Sequence, residues 1–383
     1  MSEPIIESSG NVFTDLGFEE GEARLLQIQA ELMHDLSSTQ HEILTPSPLL
    51  DAQGRLTQVG WARAPLLDCN LEQVAFYPRP LRFLQRLRVK RWDYYGVTTP
   101  DRFFSVTLAD LGYAGQAFVY TVDFASGRYH EETLTIPPGG GIVLPRNSSA
   151  GESRFDNGKV RLAFQVTPTA RQISVVWPDF DGQHLSAEVS FAAAPEHEST
   201  VVVIPIKGNR FYYNRKINCL PATGWLQIGA QRTEITPATC LGNLDWGRGV
   251  WEYCSFWVWA SASGFLADGR TLGLNLGFGF GDTTAATENT VIIDGRVHKL
   301  GQVDFSYDAQ NFMQPWRMIA PDGRLDLTFT PFVERVAATN LLLIASKVHQ
   351  MFGRYSGHAI ADDGERITVD GSVGFAEEHL ARW

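Results

Sequence analysis

LGNLDWGRGVWEYCSFWVWASASG (residues 241–264), followed after a turn by LGLNLGFGFGDTTAATEN (272–289), decides the fold of this chain. Tyr253, Ser255, Trp257 and Trp259 alternate with Cys254, Phe256, Val258 and Ala260. Leu272, Leu274, Leu276, Phe278 and Phe280 alternate with Gly273, Asn275, Gly277 and Gly279. A period of two sends the two sets of each run to opposite faces of a sheet. The second strand therefore has one apolar face and one nearly bare face. Glycines along one face admit a close neighbour, either a ligand or another segment of the chain.

Working outward, the same strand-and-turn grammar continues. Gln53-Gly54, Ser126-Gly127, Asp181-Gly182, Asp268-Gly269, Asp294-Gly295, Asp322-Gly323 and Asp363-Gly364 are turn dipeptides, most of them between β-rich runs. Asp-Gly tolerates positive φ at both central positions of a tight hairpin. Strands are expected over 117–123, 201–206, 290–293, 325–329, 341–348 and 366–369. Long helical patterns between strands are missing, which points away from βαβ units and toward antiparallel sheets. The one helical pattern is 18–36, where Leu25, Ile28, Leu32 and Leu36 share a face. The expected fold is all-β: an N-terminal segment (1–49) with that helix, then two β-barrel domains, 50–198 and 199–383. The dividing point is the composition break AAAPEHE at 192–198. Sandwiches are the alternative to barrels.

Composition narrows the function classes. The chain has 383 residues, 44% hydrophobic and 20% charged, which is a globular composition. A net charge of −11 argues against nucleic acid and anionic membrane surfaces as partners. Cys69, Cys219, Cys240 and Cys254 are widely spaced and read as free thiols of a reducing, cytoplasmic setting. No signal-peptide pattern and no integral membrane segment is expected. Metal-ligand spacing, a GxSxG elbow and a Walker loop are all missing from the sequence. GFGFGD (277–282) has no third fingerprint glycine and no βαβ setting, so no dinucleotide or other cofactor is expected.

Four clusters carry candidate site residues, each with a structural reading beside it. In KRWDYYG (90–96), Trp92 and Tyr94 share a face that lines a cavity or a core, with Asp93 opposite. In the run around Lys216 and Asn218, these two share a face that is either a site or a polar outer wall. In DWGRGVW (245–251), Asp245 and Arg248 either pin a turn or serve as acid/base and bidentate orienter. In the stretch after GFGFG, Asp282 caps a short helical turn through Glu288, or Glu288-Asn289, next to a strand start, faces the cavity instead. The catalytic candidates are thus Asp245, Arg248 and Glu288. The ligand-binding candidates are Trp92, Tyr94, Lys216, Asn218, Trp246, Trp251, Trp257, Trp259, Asn275 and Asp282.

GWARAPLLDCN (60–70), KRWDYYG (90–96), YYNRKINCLP (212–221), LDWGRGVWEY (244–253) and LGLNLGFGFGDTTAATEN (272–289) together resemble the bacterial domain-of-unknown-function family 2804. The resemblance runs from about residue 40 to the end. By fold the family is similar to the two-domain lipocalin-like group, which includes carotenoid hydratases, tocopherol cyclases and fungal pericyclases. None of their catalytic residues is carried over to this chain. The resemblance implies two antiparallel barrels with an aromatic pocket inside one or between them. Such a pocket encloses a hydrophobic small molecule. Aromatic faces stabilise a carbocation, and a buried acid with a raised pKa protonates an alkene. The expected function is binding of an unsaturated lipid, isoprenoid or polyketide-like molecule, with hydration, cyclisation or isomerisation as its chemistry. The rivals are a non-catalytic lipid carrier and a carbohydrate-processing enzyme with two carboxylates.

Overall fold

The computed structural model of the protein describes residues 40–341 and 344–382. The helix expected over 18–36 lies outside them. The all-β architecture is the one the chain adopts, as two large antiparallel sheets. The first sheet has 13 strands among the described residues. Its main path runs, in spatial order, from Tyr129–Ile136 through Gly115–Asp123, Arg102–Asp110, Lys90–Thr98, Leu241–Val250, Arg210–Ile228 and Gln183–Ala192 to Ala170–Phe180, Arg161–Val166 and Gly151–Asp156. The second has nine strands among the described residues, centred on Cys254–Phe265, Arg366–Arg382 and Ile344–Ile360.

Each sheet curls around a core of its own. In the first, His130 on one end strand sits edge-on to Phe180 at the other side, with ring centroids 4.7 Å apart. Its interior takes Tyr95, Val97, Phe104, Val106 and Leu108 from alternate positions of neighbouring strands. The second interior is filled by Val258, Ala260 and Ala262 against Leu272, Leu274 and Leu276. These are the apolar sets read from the alternation.

The hairpins follow the turn chemistry. Asp181-Gly182 and Asp294-Gly295 have positive φ at both residues. They join Ala170–Phe180 to Gln183–Ala192 and Thr290–Ile293 to Arg296–Lys299. The run expected as a strand over 341–348 instead straddles a hairpin, since Leu341 pairs with Ile344. Strand propensity is high on both sides of the reversal, so periodicity alone does not reveal it.

The expected division at 198/199 does not coincide with the division between the sheets. Strands Arg210–Ile228 and Leu241–Val250 belong to the first sheet, and the second begins at Cys254. The AAAPEHE stretch is a connection on the way to Thr200–Ile206, which pairs with Arg210–Ile228 of the same first sheet. Among the described residues, no helix is long and apolar enough to cross a membrane. All four cysteines are free, and Cys69, Cys219 and Cys240 are buried.

The outer faces of the two sheets meet along a seam. Two clusters fill it, one around Trp61, Ile204, Tyr212, Trp251 and Ile292, the other around Tyr94, Phe103, Tyr120, Trp259, Phe352 and Phe375. Asn218 locks the seam at one point. Its amide donates to Ser261 Oγ (2.9 Å), to the Ala262 carbonyl (3.0 Å) and to the Leu274 carbonyl (3.2 Å) of the second sheet. Gly273 lies against it, and a Cβ there would come within 2.7 Å of the Asn218 Cβ. The neighbour that the bare glycine face admits is another segment of the chain.

Candidate functional site

A cavity of about 660 Å³ lies on the seam, with walls from both sheets. Strand register explains how its polar residues come together. On the first sheet Lys216 is opposite Asp245, Asp245 opposite Tyr94, and Tyr94 opposite Thr107. Directly opposed residues of a sheet share a face, so four strands contribute one row to the seam. On the second sheet the matching row is Gly277, Trp259, Glu377, Gln350 and Arg335, again across neighbouring strands. The two rows face each other. Lys216 Nζ stands 3.6 Å above the Trp259 ring, and Tyr94 meets that ring edge-on at 6.0 Å.

Glu288 joins from the loop before Thr290–Ile293, filling the space that Gly277 leaves. An ideal Cβ on Gly277 would lie 2.1 Å from Glu288 Oε1. Lys216 Nζ is 3.0 Å from Asp245 Oδ2 and 3.7 Å from Glu288 Oε2. The other Asp245 oxygen accepts from Asn214 Nδ2 at 2.6 Å. Glu288 Oε2 is buried with no hydrogen bond from the described residues. Burial pushes the Glu288 carboxyl up; Lys216 pulls it down and Asp245 adds to the rise.

Glu377 is the second buried carboxyl with a raised pKa. Trp257 Nε1 donates to its Oε1 at 3.4 Å and Gln350 Nε2 to its Oε2 at 3.0 Å. Burial raises this carboxyl to about 7, although Arg335 and Lys216 work against the rise. Arg335 donates to Gln350 Oε1 at 3.1 Å, forms an ion pair with Glu131 of the first sheet, and lies 4.0 Å over the Tyr120 ring. Lys216 and Arg335 thus face Asp245, Glu288, Glu377 and Glu131. Like charges crowded out of water do not all ionise, and the two groups held up are Glu288 and Glu377. Burial lifts the Tyr212 hydroxyl well above its ordinary value, and the carboxylates Glu288, Asp245 and Glu377 add to that. Burial also lowers the His379 imidazole to about 3, helped by Arg335. It stays neutral, its ring tilted against Trp257 at 4.0 Å between centroids, with Nε2 2.8 Å from Ser346 Oγ.

Of the residues singled out from sequence, Trp92, Tyr94, Lys216, Asp245, Trp251, Trp257, Trp259 and Glu288 line the cavity. Asn275 stands just behind, accepting from Trp259 Nε1 at 2.8 Å and donating to the Glu288 carbonyl at 2.7 Å. Asp245 and Arg248 are separated by alternation, because an odd spacing along a strand points them to opposite faces. Arg248 is fully buried inside the first sheet, 2.9 Å from Asp93 and 4.2 Å over the Trp246 ring. Its partner is Asp93, and both it and Trp246 are remote from the cavity wall. Asn218 fastens the sheets. Asp282 is exposed and accepts from Thr284 N (3.0 Å) and Thr284 Oγ1 (2.6 Å) in a local turn without a helix.

Glu377, Arg335, Gln350, Tyr212, Tyr120 and His379 escaped the sequence reading. Phe375, Glu377 and His379 alternate with Ala376 and Glu378, so a carboxylate shares the face of an aromatic residue. That was a usable signal, masked because Glu377-Glu378-His379 also reads as a solvated strand end.

The chain is similar in fold to kievitone hydratase from Nectria haematococca, at 9% identity and a TM-score of 0.42, over 90% of this chain and 97% of that one. It is also similar to a protein described as an AttH from Nitrosomonas europaea, at 13% identity and a TM-score of 0.37, over 77% and 92%. Neither likeness bears on what this chain does. No curated protein matches it. The sequence over residues 40–383 does match one family throughout, and the chain belongs to it: domain of unknown function (DUF2804).

Proposed function

We propose that the seam cavity binds an unsaturated hydrophobic molecule and that Glu377 protonates it, with Glu288 and the Lys216–Asp245 pair handling the proton or water that follows. One observation carries this reading: a buried carboxyl raised to about 7 stands at a cavity whose wall also carries Trp92, Trp251, Trp257, Trp259, Tyr94 and Phe280. An acid with a pKa near the working pH both holds its proton and gives it up. The indole faces of Trp257 and Trp259 beside it suit the cation that alkene protonation creates. Asp245, engaged by donors on both oxygens, serves as an acceptor. A volume of about 660 Å³ is within the range of small-molecule sites.

The test is incubation in deuterium oxide with polyene fatty acids, isoprenoid alcohols and carotenoids, followed by mass spectrometry. Protonation and return leave deuterium in the substrate even without net product. Wild-type protein is expected to exchange and Glu377→Gln is not. Binding without exchange in both proteins supports the carrier instead. The carbohydrate reading is disfavoured because a glycosidase needs roughly 5–9.5 Å of open space between its carboxylates. Here the Lys216 ammonium fills the space between Asp245 and Glu288.

A further inference from the structure

PRPLRFLQRLRVKR, residues 78–91, has six basic residues and no acidic one in a chain of net charge −11. It folds as three short turns, Arg79–Leu81, Arg82–Gln85 and Arg86–Arg88, ahead of the strand Lys90–Thr98. Residues 78–84 are all exposed, as is Arg86. Phe83 is 68% exposed, Leu81 46% and Leu84 37%. Arg88, Lys90 and Arg91 are used internally, on the Trp251 carbonyl, the Leu111 carbonyl and Asp110. Arg79, Arg82 and Arg86 have no carboxylate partner among the described residues. The segment packs on the cavity's own wall. Trp251 and Leu111 line the cavity, and Gly112 fits against the Arg86 carbonyl, where a Cβ would come within 2.5 Å.

From this juxtaposition we infer that residues 78–86 are a docking surface for an anionic phospholipid membrane, with Phe83, Leu81 and Leu84 entering the interface and Arg79, Arg82 and Arg86 meeting lipid phosphates. The net negative charge of the whole chain argues the other way, and range decides between them. Screening confines electrostatics to roughly 8–10 Å in physiological salt, so a membrane touching this patch meets three unpaired guanidinium groups before it meets the acidic remainder. Guanidinium binds phosphate bidentately, and apolar side chains between cations are the pattern of an interfacial anchor. Delivery of a ligand from that surface to the adjoining cavity rests on the apolar-ligand reading; the docking itself does not.

The experiment is co-sedimentation of the full chain with phosphatidylglycerol vesicles and with phosphatidylcholine vesicles, at low and high salt. The protein is expected to sediment with phosphatidylglycerol only, and less so at high salt. Arg82→Gln and Arg86→Gln are each expected to lower partitioning about five-fold, and Phe83→Ser to lower it further. All three sites are exposed, so circular dichroism should match wild type. Glu377→Gln is expected to bind vesicles as wild type does, so a failed chemistry and a failed docking are told apart. Absence of sedimentation, equal sedimentation with both lipids, or insensitivity to the three substitutions overturns the proposal. So does conversion of an oligomer to a monomer by Phe83→Ser, which would make the patch a protein interface.

Discussion

The interiors of the two sheets and the seam between them are built from opposite faces of the same strands, yet they differ in kind. Leu241–Val250 holds both within ten residues. Its inward face carries Leu244, Trp246, Arg248 and Val250, and its seam face carries Asn243, Asp245, Gly247 and Gly249. Inside, even a charged pair is sealed, with Arg248 on Asp93 and on the carbonyls of Trp92 (2.7 Å) and Gly247 (2.9 Å). At the seam, Lys216 is shared between two carboxylates and the aromatic walls stand apart around a cavity. The interior is organised to exclude everything, whereas the seam holds charge beside unfilled volume. Burial of a hydrogen-bonded ion pair contributes to shape, while the proton-holding acid at the void is the feature on which the proposed ligand binding rests.

The comparison breaks first if Glu377→Gln leaves deuterium exchange into substrate intact. A fall of about 10²–10⁴-fold is expected for loss of a general acid, with circular dichroism matching wild type. Next comes the interior pair. Asp93→Ala strands Arg248 in a sealed core and is expected to cost about 3–5 kcal/mol in denaturant unfolding. Lys216→Ala should cost less, because cavity water can reach Asp245. Equal losses would erase the distinction between the regions.

Protons sharpen the contrast further. The Glu377 carboxyl sits at about 7 in the folded chain against an ordinary 4.5. Below the lower value both states carry the proton and nothing is lost. Between the two the unfolded chain releases it while the folded chain keeps it, so stability falls as pH rises through that window. The total is about 3 kcal/mol, flat above it. Glu288, also raised, slopes the same way. Urea titrations across this range should show the slope, and Glu377→Gln should flatten much of it. The smallest effect is expected at Gly277→Ala, whose methyl would crowd Glu288 Oε1. A loss of about 1–3 kcal/mol and a changed exchange rate would mark displacement of the carboxylate.

Alternation made much of the fold legible. It put Leu272, Leu274 and Leu276 on one face and the glycines on the other, and it put Trp92 and Tyr94 opposite Asp93. It did not reach the sheet boundary, because Arg210–Ile228 and Leu241–Val250 look alike whichever sheet they join. The site was half legible. Asp245, Glu288 and Lys216 announced themselves as charges among aromatics. Their partnership depends on register between strands and on one sheet lying on another, neither of which a one-dimensional pattern contains. Asp245 and Arg248 looked paired because they are near in sequence, while alternation turns them apart. Glu377 and Arg335 lie 42 positions apart in the numbering of one chain, and Gln350 links them only through the strand that runs between them.

The slot at Gly277 has a bearing on descent. The room for the Glu288 carboxyl exists only because residue 277 contributes no side chain. A lineage that gains an alanine at 277 must lose or redirect the acid at 288, and a lineage that has lost the acid is released from the glycine. The dependence therefore runs one way: among related chains a side chain at 277 should be found only where the acid at 288 is lost or redirected, whereas glycine at 277 is compatible with either.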